Sequence, residues 1–256
     1  MLSDKIRIRV TPFIFHVLQY DADRFYIYKN DESPNMNLML NILIPNLLKL
    51  KISRRNDICD ALRDKLKMDY SNEIESIASE IMEKTLLKEN YLGYLDNDIW
   101  IRPSKAVQTD FDKIENDELP LTKMDLSSYI RSLLNEYVNL PENVREKIFY
   151  SHEIDILNKC INGEYLIHFK YENDKYLFYV YNYFVGYFVD QAIYVVGFDV
   201  EKEQIRSFPL KEIYNLFASS KKYNAKRELV EKLKKYALKY NFKKNNIIDF
   251  KNKNNA

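Results

Sequence analysis

The sequence predicts an α+β fold, and three observations carry that prediction. The first 150 residues run strand, proline, helix, polar segment, helix, and then run through the same order again. From Glu153 onward the texture changes to short runs of aromatic and β-branched residues, the composition of strands. Near the carboxy-terminus a helical spacing returns, with an apolar stripe set among lysines. The chain has 256 residues, 46% of them hydrophobic, which suits about two or three modest cores. Five segments follow: a first strand-helix-helix unit over 1–52, a helical connector over 53–96, a second such unit over 97–150, a small β domain over 151–218, and a basic helix and tail over 219–256.

Residues 5–11 alternate, with Ile6, Ile8 and Val10 on one face and Lys5, Arg7, Arg9 and Thr11 on the other, the pattern of a half-exposed strand ended by Pro12. Residues 13–25 place Phe13, Val17, Leu18 and Phe25 at helical spacing. The polar turn Asn30-Asp31-Glu32-Ser33-Pro34 leads to a helix from Asn35, which Pro45 is expected to kink or split. Ser53 and Ser71 stand where N-caps belong, before helices over 54–68 and 72–88. A second strand over 99–102 is ended by Pro103. A short helix, a turn at Asn116-Asp117-Glu118-Leu119-Pro120 and a longer helix come next. The two second helices begin alike, Met36-Asn37-Leu38 and Met124-Asp125-Leu126. This reads as an internal duplication, against chance in a chain rich in these letters.

In the β domain, strands are expected over 165–171, 176–184, 192–198 and 204–210, with turns at Asn173-Asp174, Asp190-Gln191 and 199–203 and a return to helix over 211–217. The last helix, 224–240, aligns Leu229, Leu233, Tyr236, Ala237 and Tyr240. No intrachain partner for that stripe is evident, so a homodimer is expected. The Lys- and Asn-rich tail beyond Phe242 reads as disordered.

The net charge is only +1, but it is unevenly spread: +4 over 1–55, −12 over 56–220 and +9 over 221–256. A polyanion would be met by an end of the chain or by a local patch. Cys59 and Cys160 are far apart and read as buried thiols of a reducing compartment. With no apolar run of about 18 residues, a cytoplasmic protein with no membrane contact is expected.

Catalysis has little to stand on. The three histidines, His16, His152 and His168, form no metal motif, and no nucleophile elbow or Gly-rich phosphate loop occurs. The sequence therefore predicts no enzyme, no catalytic residue, no cofactor and no metal. Asp57, Asp60 and Asp64 share a helix face but stand among Arg54, Arg55 and Arg63, which points to a solvated ion-pair surface. Binding has more support. Tyr179, Tyr181 and Tyr183 alternate on one strand face, where unpaired bases would stack at about 1–3 kcal/mol each. Lys170, Lys175 and Arg206 would supply charge, and His168 beside Lys170 would touch phosphate. The competing reading makes the tyrosines a hydrophobic layer and His168 a solvated residue.

A short strand with outward basic residues followed by two helices resembles the ribbon-helix-helix fold of small DNA-binding proteins. Its two copies would be residues 5–50 and 98–140. The resemblance implies an antiparallel ribbon in the major groove, with Lys5, Arg7 and Arg9 contacting duplex DNA beside Asp98, Trp100 and Arg102. Residues 160–217 resemble a WYL domain, an Sm-like β-barrel module. The likeness is carried by Ile167-His168-Phe169-Lys170-Tyr171, Ile193-Tyr194-Val195-Val196-Gly197-Phe198-Asp199 and Ile205-Arg206-Ser207-Phe208-Pro209-Leu210. Tyr194 and Arg206 match that family's pattern. Ile193 and Val195 replace its tryptophan and leucine, and Glu212 replaces an arginine of the closing helix. The combination is similar to the WYL accessory proteins of type VI CRISPR systems. It implies a non-catalytic protein that binds single-stranded RNA through the WYL domain and modulates a CRISPR effector nuclease. A DNA-binding transcriptional regulator with a ligand-sensing WYL domain, and an adaptor that meets a protein through its acidic middle, are the other readings.

Overall fold

The computed structural model describes residues 5–66, 71–86, 94–122, 124–171, 178–187, 192–239 and 247–250. The chain divides into two compact units, Met1–Leu140 and Pro141–Ala256.

The first unit is built on a two-stranded antiparallel ribbon. Strand β1 (Ile6–Val10) pairs with β2 (Asn97–Ile101) in the register Ile6 to Ile101, Arg7 to Trp100, Ile8 to Ile99 and Arg9 to Asp98. The period of two sends Ile6, Ile8, Val10, Ile99 and Ile101 into the core and leaves Arg7, Arg9, Asp98 and Trp100 outside. Helix α1 (Pro12–Arg24) starts where proline costs nothing, at its first turn, and the Thr11 hydroxyl accepts from the Ile14 N–H at 3.3 Å. The first polar segment is a turn. Glu32 takes a left-handed φ of 62°, and the Asp31 carboxylate accepts from the Ser33 N–H and hydroxyl at 3.1 and 2.6 Å.

Helix α2 (Met36–Leu66) runs unbroken through 31 residues. The breaks expected at Pro45 and Ser53 do not occur, because Leu43, Ile44, Leu47 and Leu48 are buried around Pro45. Their burial outweighs the roughly 3 kcal/mol a mid-helix proline costs. Helix α3 (Ser71–Leu86) packs Ile74 and Ala78 against Cys59, Ile58 and Leu62 of α2.

The second polar segment differs from the first. Instead of turning, it continues α4 (Gln108–Lys113) through a π-helical stretch, Ile114–Glu118, into α5 (Leu119–Thr122). Phe111 and Ile114 are fully buried. Glu118, 1% exposed, accepts from the Tyr129 hydroxyl at 2.8 Å and pairs with Arg55 at 2.8 Å. A turn would strand that arginine in the core, so the inserted residue of the π-helix keeps the carboxylate inward. Helix α6 (Leu126–Val138) is capped by Asp125, which accepts from the Ser128 N–H at 2.8 Å. The packing is crosswise, α6 on β1 and α2 on β2. Asn37 and Asn41 hold the end of β2: Asn37 Oδ1 accepts from the Arg102 N–H at 2.7 Å, and Asn41 Oδ1 from the Ser104 N–H at 2.8 Å. Arg131 donates to the Arg9 carbonyl at 2.7 Å.

The second unit opens with α7 (Glu142–Phe149) and α8 (Ser151–Gly163). A curled antiparallel half-barrel follows, made of β3 (Tyr165–Tyr171), β4 (Phe178–Tyr187), β5 (Ile193–Asp199), β6 (Gln204–Pro209) and β7 (Ile213–Lys222) in the order β6-β5-β4-β3-β7. The turn expected over 199–203 forms, with Asp199 Oδ1 accepting from the N–H groups of Glu201 and Lys202, each at 3.2 Å. The turns expected at Asn173-Asp174 and Asp190-Gln191 lie outside the described residues.

The helix expected over 211–217 is absent. A single 3-10 turn, Leu210–Glu212, leads into β7, which pairs along β3. Ile, Tyr, Leu and Phe favour a strand, and β7 satisfies backbone groups that an open β3 edge would leave unpaired. Helix α9 (Arg227–Lys239) lays Leu229, Val230, Leu233, Tyr236 and Ala237 over Leu166, Tyr181, Val196, Phe198 and Ile205 of this sheet. The partner its stripe needs is therefore within the chain, which removes the reason for expecting a second subunit there. Residues Ile247–Phe250 form β8, paired with β4, where the sequence reads as structureless. No helix among the described residues is long and apolar enough to cross a membrane.

Candidate nucleic-acid interface

Strand β3 shows how the sheet makes an open surface. Along one of its faces Leu166 is buried beneath α9, His168 is half-buried and Lys170 is exposed, so the cover ends after one residue pair. In the antiparallel register β7 sets Phe217 beside His168 and Tyr214 beside Lys170. Ring centroids of His168 and Phe217 are 5.0 Å apart at 75°, an edge-to-face pair. Phe217 and Tyr214 are each 44% exposed, unusual for large rings on a strand. Burial, and after it the positive charge of Lys221, lowers the His168 pKa, so the ring is neutral at pH 7 with one donor and one acceptor nitrogen. Two exposed rings flanked by Lys170 and Lys221 form a platform for unpaired bases and their phosphates.

Of the residues the sequence nominates, His168 and Lys170 meet on this platform. Tyr181 does not: it is 1% exposed, its ring 5.2 Å from that of Tyr223 in the core beneath α9, and its face is closed to a base. Tyr194 is half-buried in β5, beside Gly186 and Pro209 in register. Arg206 takes another role. Its guanidinium lies 5.0 and 4.9 Å from the ring centres of Phe178 and Phe208 and 3.7 Å from Asp199, whose side chain is 2% exposed. That charge closes an aromatic cluster and balances a buried carboxylate. Tyr179 stands opposite His168, and Tyr183 falls where the β4–β5 register shifts, but their side chains, like all of Lys175, lie outside those described. Tyr214 and Phe217 were missed because 211–217 reads as a closing helix. The β-forming run Ile213-Tyr214-Asn215-Leu216-Phe217 was the available signal.

A groove of about 540 Å³ is lined by Lys159, Cys160, Tyr165, Ala218, Ser219 and Ser220. Burial pushes the Cys160 thiol pKa up, which leaves it protonated and unreactive.

In the first unit, the outward ribbon face carries Lys5, Arg7 and Arg9 together with Trp100 and Asp98. Lys5 Nζ sits 4.4 Å from the Trp100 ring centre and the Arg7 guanidinium 5.8 Å from it. Asp98 pairs with Arg7 at 2.5 Å and lies 3.7 Å from Arg9 Nε. The Arg7 hydrogen bond holds the Asp98 carboxyl below the usual carboxylate range. Of the ion-pair surface expected around Asp57, Asp60 and Asp64, Asp60 pairs with Arg63 at 2.9 Å, whereas Arg55 is buried against Glu118 and Arg54 pairs with Glu136. Among the described residues no group of three His, Cys, Asp or Glu side chains is placed to hold a metal ion.

No protein-family model and no curated protein matches the chain. Among solved structures, the crystal structure of a CRISPR Cas-related protein matches with a TM-score of 0.67 at 15% identity, covering 97% of this chain and 74% of that one. At that identity the likeness is one of fold. A proteasome accessory factor B/C of Arthrobacter aurescens aligns over 29% of this chain and 13% of its own, with a TM-score of 0.27 and 17% identity.

Proposed function

We propose that this protein is a non-catalytic accessory protein that binds single-stranded RNA through its sheet domain and modulates a CRISPR-type effector nuclease. The observation that carries the reading is the open strip of Phe217, Tyr214, His168 and Lys170 on β3 and β7. Paired bases offer a protein only their edges, whereas unpaired bases offer faces, and exposed rings bind faces. The likeness in fold to a CRISPR Cas-related protein over nearly the whole chain supports the CRISPR part of this reading. The sheet's resemblance to a WYL domain, and the ribbon's to a ribbon-helix-helix pair, agree with an architecture of that kind.

Fluorescence anisotropy against single-stranded RNA, single-stranded DNA and duplex DNA of matched length, each over a salt series, tests it. The expected outcome is single-strand binding that Phe217→Ala weakens about tenfold, a loss near 1.4 kcal/mol, within the range for one stacked base. Cleavage by a type VI effector is expected to rise when the protein is added and to rise less with the variant. Duplex preference, or binding indifferent to Phe217, would count against the proposal.

A second reading is a duplex DNA regulator, favoured by Lys5, Arg7 and Arg9 on one face of a ribbon. Asp98 already engages two of these cations, which weakens it. Under that reading Arg7→Ala with Arg9→Ala abolishes duplex binding.

A further inference from the structure

The ribbon's outward face holds the chain's single tryptophan, opposite Arg7. Trp100 is 44% exposed, with the Lys5 ammonium 4.4 Å and the Arg7 guanidinium 5.8 Å from its ring centre. A ribbon reading a duplex needs free donors aimed at base edges. Here the guanidiniums of Arg7 and Arg9 are drawn to Asp98, at 2.5 and 3.7 Å, and the residue opposite Arg7 is a flat ring with no acceptor. A paired base has no free face for that ring, whereas an unpaired one has. Two further features make the face a site for a polyanion. Lys5, Arg7 and Arg9 outnumber the one carboxylate, and Arg131 fixes the Arg9 backbone by donating to its carbonyl at 2.7 Å.

We infer that the outward ribbon face is a second, separate single-strand site, which stacks one unpaired base on Trp100 and takes the flanking phosphate with Lys5. An incoming base exchanges an exposed cation–π contact for a ring-on-ring one. The displaced Lys5 ammonium then meets the phosphate beside that base. Asp98 holds Arg7 beside the ring, 5.8 Å from its centre, and stops the site from becoming a general cationic patch. The inference does not depend on the sheet platform, since its residues belong to the other unit.

Because Trp100 is the only tryptophan, its fluorescence, excited where tyrosine does not absorb, reports this site alone. The full-length protein is titrated with short oligouridylate, oligothymidylate and a hairpin duplex, while anisotropy of the labelled oligomer follows total binding in parallel. The expected result is quenching by both single strands but not by the duplex, retained in the Phe217→Ala variant. In the Phe217→Ala background, where the ribbon site carries the remaining binding, Trp100→Leu is expected to weaken that binding about tenfold, and Trp100→Phe to restore most of it. Bound oligomer with unchanged tryptophan emission, equal quenching by the duplex, or quenching that disappears with Phe217→Ala would each overturn the inference. The first of these outcomes leaves the sheet proposal standing. Absence of any oligomer binding overturns both.

Discussion

One face of the sheet carries two kinds of surface. At one end Leu166, Tyr181, Val196 and Phe198 lie beneath α9. Toward the other, His168, Lys170, Tyr214 and Phe217 meet water. Both ends are aromatic, and both are strand residues alternating with the same period. What separates them is where the apolar stripe of α9 stops. A tyrosine in this chain becomes core or contact surface according to whether a helix lies on it, and its own chemistry has no vote.

Breaking the cover should have the largest effect. Leu233 is fully buried between α9 and the sheet, and Leu233→Asp buries an unpaired carboxylate there. A loss of about 3–5 kcal/mol is expected, read as a lower urea midpoint for the second unit. Tyr181→Ala empties a packed site and is expected to cost about 3 kcal/mol, while single-strand affinity measured on folded protein changes less than about twofold. If affinity fell as sharply as stability, the two ends would not be distinct.

Phe217→Ala and Tyr214→Ala should behave in the opposite way, with stability changed by less than about 1 kcal/mol and single-strand binding weakened about tenfold. Lys170→Ala is subtler: the slope of log affinity against log salt is expected to fall by about 0.7, one phosphate contact on a single strand.

The smallest effect concerns pH and has two signs. Burial lowers the His168 pKa below its unfolded value, so the stability it contributes is present above about pH 6.5 and is lost as pH falls through the folded value. Phosphate binding favours the protonated ring, so single-strand affinity should rise as stability declines, and His168→Gln should flatten both profiles.

Much of the fold was legible. The alternation of Ile6, Ile8 and Val10 against Arg7 and Arg9, the helix that follows Pro12 and strand β3 all follow from local chemistry, where one residue and its near neighbours settle the outcome. The candidate site was half legible. His168 and Lys170 were in view because their strand was, whereas Tyr214 and Phe217 were hidden by a segment short enough to be helix or strand until β3 offered it an edge. Arg206 shows the converse failure. Its charge looked available, and it stands over Phe178 and Phe208 with the buried Asp199 carboxylate 3.7 Å away.

The two Asn-Asp-Glu-x-Pro segments mark the boundary between the two kinds of information. Their letters are alike, yet Glu32 sits exposed in a left-handed turn, and Glu118 lies buried in a π-helical stretch against Arg55 and Tyr129. The sequence alone determined the periodicities, the α+β class and the uneven charge, because these depend on spacing and on neighbours a few residues away. Tertiary structure decided that α2 runs through Pro45, that α9 lies on its own sheet, and which aromatic rings remain open. Each of those outcomes depends on apolar area and charge partners brought together from distant parts of the chain, whose combined free energy exceeds any local preference.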